Sequence, residues 1–227
     1  MLEKKREFNI FPIPVLQDNI VWVWVHNCNA VVVDPSISRP VKKWILKNNL
    51  SLKAILQTHH HEDHIGGTQE LIKNWPDAKV IASKKDLKRI PFQTFSVENN
   101  EIFYLFDSEI KVIEVHGHTN NHIAFYISRS NSKYNLLFPG DTLFGGGCGR
   151  LLEGTPSQMF VSLKKLNSLP ENTKIYPAHE YTENNLKWAL SLNSNDISII
   201  ERLKLVQTKR QNGLPSLPST ILEERKT

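Results

Sequence analysis

Cysteine is almost absent from this chain: Cys28 and Cys148 are the only two in 227 residues. They stand far apart and form no CxxC pair, which argues against a disulfide framework. Long apolar runs are also missing, and none approaches the ~20 residues that a membrane span needs. The first seven residues, MLEKKRE, are charged, and no cleavable hydrophobic segment follows them, so the protein is expected in the cytoplasm. Internal repeats and low-complexity linkers are lacking as well. The charge excess is small, 28 Lys and Arg against 23 Asp and Glu, for a net +5 and a pI near 9.1. The basic pairs Lys42–Lys43, Lys84–Lys85, Lys164–Lys165 and Lys209–Arg210 are scattered over predicted helix surfaces. They read as a solvated surface, so neither a nucleic-acid nor a membrane partner is expected. What is present suits an ordinary globular monomer: 40% hydrophobic residues in a length that allows one large domain with a smaller appendage.

The densest chemistry lies in residues 58–67, THHHEDHIGG. Imidazoles and carboxylates crowd into a few positions between a short apolar run, residues 53–57, and helical spacing at Leu71, Ile72 and Trp75. No ordinary core accommodates such polar crowding without a cation. His59 and His61, two apart, share one side of an extended chain, whereas on a helix they would diverge. His60 then points away and reads as structural or as an outer support of the ligands. The pattern is not the helical HExxH motif, because His64 comes three positions after His61, not four. A histidine run can also be a surface loop or a tag, but a tag would sit at a terminus without the interleaved Asp63 and the pair Gly66–Gly67.

Other metal-competent residues follow apolar runs, where strands would deliver them to one rim. His118 follows residues 110–115, Asp141 follows residues 134–138 through Pro139 and Gly140, and His179 follows residues 174–178. Each alone is more often a hydrogen-bonded turn residue. Together, five histidines and two aspartates exceed the needs of one four-coordinate zinc and match two ions bridged by a carboxylate. His116 and His122 flank His118 and fit either a turn or an orienting role. The glycine run 145–149 lacks the Lys-Ser/Thr of a phosphate loop and the full GxGxxG pattern, and Cys148 has no evident activating base.

HxHxDH, then GHT, GDTLF with GCGR, and AHEYT, in that order, resemble the metallo-β-lactamase superfamily and, more narrowly, the glyoxalase II family. The likeness extends from DNIVWV at Asp18 to GLPSLPSTILEE near the end. It implies an α/β fold of the αββα sandwich type, with a small C-terminal helical lobe. It implies that His59, His61 and His118 hold one divalent metal, that Asp63, His64 and His179 hold the other, and that Asp141 bridges them. Zinc is the first expectation, and iron and manganese also suit these donors. Arg150 and Tyr181 are the implied substrate contacts. A water shared by two cations has its pKa lowered from ~15.7 toward about 7, which supplies a hydroxide without a separate protein base. The implied reaction is hydrolysis of a glutathione thioester, such as S-D-lactoylglutathione, with the oxyanion stabilised by a cation. Leu152 stands where the family usually has an aromatic side chain. The chain also stops at Thr227, before a basic stretch that grips glutathione, and Arg225 and Lys226 fall too early to replace it. Weaker glutathione binding, with a broader thioesterase activity, is therefore expected.

Apolar runs at residues 21–25, 30–33, 53–57 and 79–82 read as strands, and residues 41–47 and 68–75 as helices. A strand-rich half covers residues 102–138, followed by a helix over 156–169 and a strand to Ala178. Beyond His179 the pattern is helical, with Leu186, Ala189 and Leu190 on one face and Ile197, Ile200 and Leu203 on another. Gly213 and Pro215 stop the last helix. These readings divide the chain into a catalytic domain, 1–179, and a helical substrate-binding lobe, 180–227. A metal-dependent RNA phosphodiesterase and a non-catalytic metal-binding module are the competing functions. The positive charge supports the first, and the filled ligand positions argue against the second.

Overall fold

The computed structural model describes residues 9–128 and 133–227, so the charged amino-terminal stretch lies outside the described residues. Two six-stranded sheets face each other. The first contains β1 (Asn9–Val15), β2 (Asn19–His26), β3 (Asn29–Val33), β4 (Ser51–Leu56), β5 (Lys79–Ser83) and β6 (Phe95–Val97), in that spatial order. Its first three strands form an antiparallel meander, and β3 to β6 run parallel. The crossovers carry α1 (Ser38–Lys47), α2 (Glu62–Ile65) and α3 (Thr68–Asn74). Parallel neighbours require such crossovers, and helices on the outer face bury the strands on both sides.

Trp22 and Trp24 of β2 accordingly point into the space between the sheets, while Val21 and Val23 pack outward with Val41 and Ile45 of α1. The same alternation puts Val31, Val33, Ala54 and Leu56 inside and Val32 and Ile55 outside. With both faces apolar, these strands read as continuous hydrophobic runs.

The second sheet is formed by β7 (Ile102–Leu105), β8 (Ser108–Glu114), β9 (Ile123–Ser128) and β10 (Leu136–Phe138), with further strands below. Phe125, Ile110, Ile123 and Phe138 meet the tryptophans across the interface. Trp22 Nε1 donates to the Pro177 carbonyl at 2.7 Å, so the buried indole loses no hydrogen bond and ties the sheets together. After β10 come the hairpin strands β11 (Leu143–Phe144) and β12 (Gly147–Cys148), α4 (Pro156–Asn167) and β13 (Lys174–Ile175). Thr155 caps α4 in a full capping box with Gln158 and Pro156 at the first turn. The outer face of the sheet packs on α4 through Leu137, Ile175 and Leu166.

The carboxyl-terminal part holds α5 (Thr182–Leu192), α6 (Ile197–Gln211), β14 (Ser219–Thr220) and α7 (Ile221–Glu224). Residues 180–227 are mainly helical, as expected, and the short β14 among them pairs antiparallel with β13 and extends the second sheet to the order β14-β13-β10-β9-β8-β7. Two other expectations are corrected. The strand before His179 closes at Ile175, although Tyr176 N still donates to Leu137 O at 2.9 Å. The buried face of α6 is Ile199 and Val206 with Leu203, packed on Leu186, while Ile197 is 70% exposed. Gly213, at φ +70, ends the helix as expected.

Candidate metal centre

The histidine cluster occupies the segment between β4 and α2. His61 is extended (φ −62, ψ 145) and α2 begins at Glu62, so two local conformations share six residues. The extended part brings His59 Nε2 to 2.9 Å from His61 Nδ1. The helical turn then aims Asp63 and His64 from a second direction. His60 points the opposite way, toward Arg89 and Glu153, as the alternation requires.

Three more segments reach the same rim. His118 follows β8, and its Nε2 lies 3.1 Å from His61 Nδ1. Asp141 follows β10 through Gly140, whose φ of +52 favours glycine and where a Cβ would sit 2.4 Å from Thr58 Oγ1. His179 is held against the start of β2 by Ile20 N donating to Ala178 O at 2.7 Å and Glu180 N to Asp18 O at 2.9 Å. All seven predicted residues thus come together, in three overlapping groups: His59, His61 and His118; Asp63, His64 and His179; and His59, His64 and Asp141.

The spacing fits metal coordination. With bonds of about 2.1 Å, the donors of a tetrahedral site lie about 3.4 Å apart. His64 Nε2 and His179 Nε2 are 3.6 and 3.4 Å from Asp63 Oδ2, and 3.5 and 3.4 Å from Asp141 Oδ1. The other Asp141 oxygen, Oδ2, is 3.5 Å from His118 Nε2. One carboxylate therefore presents Oδ1 to His64 and His179 and Oδ2 to His118. His64 Nε2 and Asp141 Oδ1 are buried without a hydrogen-bond partner. Buried polar atoms left in this way call for an ion or water to satisfy them.

Four histidines are fixed by oxygens at Nδ1. The partners are Thr58 Oγ1 for His59 (3.1 Å), Asp34 Oδ2 for His64 (3.1 Å), the Arg150 carbonyl for His118 (2.8 Å) and Asp18 Oδ1 for His179 (2.8 Å). A proton held at Nδ1 leaves the Nε2 lone pair facing the centre, the arrangement that orients imidazole ligands. Thr58 itself donates to Asp34 through Oγ1 at 2.7 Å and N at 2.8 Å, which fixes its hydroxyl as an acceptor for His59. Asn19 Nδ2 donates to Asp63 Oδ2 at 3.1 Å. His122, buried and stacked on His59 at 4.6 Å, accepts from Asp141 N at 3.1 Å, which gives it an orienting role. His116 instead contacts Asn120 O and Glu114, so its role is in the turn. Sequence reasoning missed Asp18, Asn19 and Asp34 as supports; their one signal is a polar residue bounding an apolar strand.

The electrostatics of the protein alone show a demand for positive charge. Burial lowers the proton affinity of His64 and His179, but the adjoining carboxylates outweigh it. Asp141 and Asp34 raise His64 well above an ordinary histidine, and Asp141 and Asp63 raise His179 to about 10. Asp63 and Asp141 are held below the usual carboxylate range, Asp63 chiefly by His179, and Asp141 against its own burial by His64 and His179. His59 moves the other way through burial and neighbouring imidazoles. A divalent cation supplies this charge without protons.

The centre opens into a cavity of about 630 Å³ lined by Tyr181, Asn184, Phe144, Cys148, Arg150 and Leu152 among others. Tyr181 stacks on His179 at 4.8 Å and 8°. Burial and the charge of Asp18 push its phenol up to about 12, so it stays a neutral hydroxyl. Arg150 is exposed at the rim, and Leu152 exposes 60% of its surface there. Burial raises the Cys148 thiol, the opposite of what activation as a nucleophile requires. Arg225 lies elsewhere, donating to Asn167, Leu169 and Glu171 at the end of α4.

Two facing mixed sheets with histidines and aspartates converging on one rim define the metallo-β-lactamase class, and the model of the metallo-beta-lactamase superfamily matches residues 13–179. The model of the hydroxyacylglutathione hydrolase C-terminus matches residues 180–227. The chain belongs to the hydroxyacylglutathione hydrolases, a family of metal-dependent hydrolases also called glyoxalase II. It is 79% identical over 227 residues to the hydroxyacylglutathione hydrolase of Prochlorococcus marinus (strain NATL2A), covering all of this chain and 90% of that one. It is 49% identical to that of Synechococcus sp. (strain CC9605), covering 96% and 89%. Among solved structures, TTHA1623 in a di-iron-bound form superposes with a TM-score of 0.63 at 27% identity, covering 74% of this chain and 91% of that one.

Proposed function

We propose that this protein hydrolyses S-(2-hydroxyacyl)glutathione thioesters, S-D-lactoylglutathione among them, to a 2-hydroxy acid and glutathione. The observation that supports the reading is the convergence of seven donors in three overlapping groups, with Asp141 Oδ1 3.5 Å from His64 Nε2 and Asp141 Oδ2 3.5 Å from His118 Nε2. His59, His61 and His118 would hold one divalent ion, Asp63, His64 and His179 the other, and Asp141 both. Zinc is the first candidate, and iron and manganese also suit these donors. When bound, the two ions lower the pKa of a shared water and polarise the thioester carbonyl.

The protein contributes orientation and charge. Asp63 and Asp141 offset the cationic charge, and the Nδ1 partners fix each imidazole before substrate arrives. Arg150, at the cavity mouth, suits an anionic substrate, and the neutral Tyr181 hydroxyl offers a donor beside His179. We place the catalytic domain at residues 1–179 and the substrate-binding lobe at 180–227. We further read the protein as a cytoplasmic monomer, a reading consistent with its two free cysteines. An RNA phosphodiesterase gains little from the basic residues, since Lys84 and Lys85 pair with Glu98 and Glu114 at 2.6 Å each.

The test is loss of thioester absorbance when metal-reconstituted protein meets S-D-lactoylglutathione, run beside Asp141→Asn. Turnover that needs metal and collapses in the variant is expected. No turnover by protein proven to hold two metals would overturn the reading and bring phosphodiester substrates forward.

A further inference from the structure

The β11–β12 hairpin that walls the catalytic cavity has little to hold it by itself. Each strand has two residues, and Gly145, Gly146 and Gly147 supply no side chains between them. So short and glycine-rich a ribbon is not independently stable. On one side α5 supports it: Asn185 Nδ2 donates to Gly145 O at 3.0 Å, and Gly145 lies against Thr182. On the other side the support comes from α7. Glu224 Oε2 accepts from Gly146 N at 2.7 Å, at the residue whose φ is +66.

Glu224 is itself held from α6. Arg202 Nη1 donates to Glu224 Oε2 at 3.0 Å and Nη2 to Oε1 at 2.5 Å, a bidentate pair whose side chains expose only 6% and 9%. The same guanidinium reaches Thr227. The chain of contacts therefore runs from α6 through α7 to the hairpin, which delivers Phe144 and Cys148 to the cavity and leads directly into Arg150. Phe144 in turn packs edge-on against His179 and Tyr181, with ring centroids 5.9 and 5.1 Å away.

We propose that Arg202 and Glu224 are positioning residues for substrate binding: their ion pair fixes Gly146 and so sets the hairpin wall of the thioester cavity. Neither residue touches the metal ligands, so the effect falls first on the cavity wall and substrate affinity, and metal content checks that the Arg150 carbonyl after the hairpin still holds His118. The proposal rests on the thioester reading for its kinetic consequence, but the position of the hairpin can be measured without substrate.

The experiment compares Glu224→Ala and Glu224→Gln with the parent protein, all fully metal-loaded, by hydrogen exchange of the peptide covering residues 143–150 and by thioester kinetics. In Glu224→Ala, exchange in that peptide is expected to rise at least about tenfold and KM about tenfold, with kcat within about twofold and metal content unchanged. Glu224→Gln keeps an acceptor for Gly146 N and is expected to recover most of the KM. If the alanine variant does not fold, the glutamine variant decides the matter through a smaller exchange increase confined to residues 143–150. Unchanged exchange in that peptide, or faster exchange there with KM unaltered, would overturn the proposal. A parent protein with no thioesterase activity would overturn the functional reading and leave the exchange measurement to judge the latch.

Discussion

Replacing Asp34 by Asn removes one negative charge and exchanges one carboxylate oxygen for an N–H donor, with almost no change in shape. Asp34 is 3% exposed and takes three hydrogen bonds, from Thr58 N (2.8 Å), Thr58 Oγ1 (2.7 Å) and His64 Nδ1 (3.1 Å). An asparagine can keep the first by directing its oxygen at Thr58 N. Its amide N–H₂ then faces Thr58 Oγ1 and His64 Nδ1, where acceptors are needed. His64 must respond by moving its proton from Nδ1 to Nε2, the atom that faces Asp63 and Asp141. The lone pair needed for the cation is then blocked. Loss of such an orienting partner typically weakens metal binding about 10- to 100-fold, or roughly 1.4–2.7 kcal/mol. The effect should reach both proposed sites, directly through His64 and indirectly through Thr58, whose hydroxyl loses its acceptor and with it the orientation that holds His59. Stepwise competition against a chromophoric chelator would resolve two affinities, both weaker than in the parent. The ¹⁵N chemical shifts of His64 would report the tautomer directly. Two unshifted affinities, or His64 still protonated at Nδ1, would refute the argument.

Gly140→Ala places a Cβ 2.4 Å from Thr58 Oγ1 and 2.7 Å from His122 Cε1 at a φ of +52; displacement of Asp141 and release of metal are expected, read by elemental analysis after dialysis. Metal loading should release protons, because the metal-free fold holds His179 at about 10, above its ordinary 6.5, and His64 well above that value. The ion pairs of His179 stabilise the metal-free fold fully below pH 6.5 and fade as the pH rises through about 10, whereas cation affinity rises over that window as protons compete less. Calorimetry at pH 7.5 in buffers of different ionisation enthalpy should count about two protons released from His64 and His179 and most of a third from the metal-held water on full loading, and none would contradict this charge assignment. Leu56→Ala, at a fully buried position between the sheets, should cost about 2–5 kcal/mol in denaturant unfolding, with metal stoichiometry retained in the folded fraction.

What could be read from the sequence follows from how each element is buried. The central strands of the first sheet are covered on both faces, so residues 21–25, 30–33 and 54–56 appear as uninterrupted apolar runs whatever their partners. The seven site residues were equally legible, because each is a metal-competent side chain placed just after such a run. Elements defined only by their partners were not. Ser219–Thr220 forms two ladder pairs with β13, and no periodicity can show in two residues. The sequence of α6 is apolar on several sides, so its inward face stayed ambiguous. The stripe through Ile197 and Ile200 continues to Lys204, whereas Ile199, Leu203 and Val206 continue as hydrophobes, and that is the face the structure buries. Asp18 and Asp34 were hidden for a different reason. Each stands at a strand boundary where a carboxylate reads as a turn residue, and its function depends on an imidazole 161 or 30 positions away. Ligands can be found from local composition, but the groups that set their tautomers become visible only once the fold has brought distant segments together. For that reason the Asp34 variant tests the structural argument more sharply than removal of any ligand: it alters a proton position that only the three-dimensional arrangement specifies.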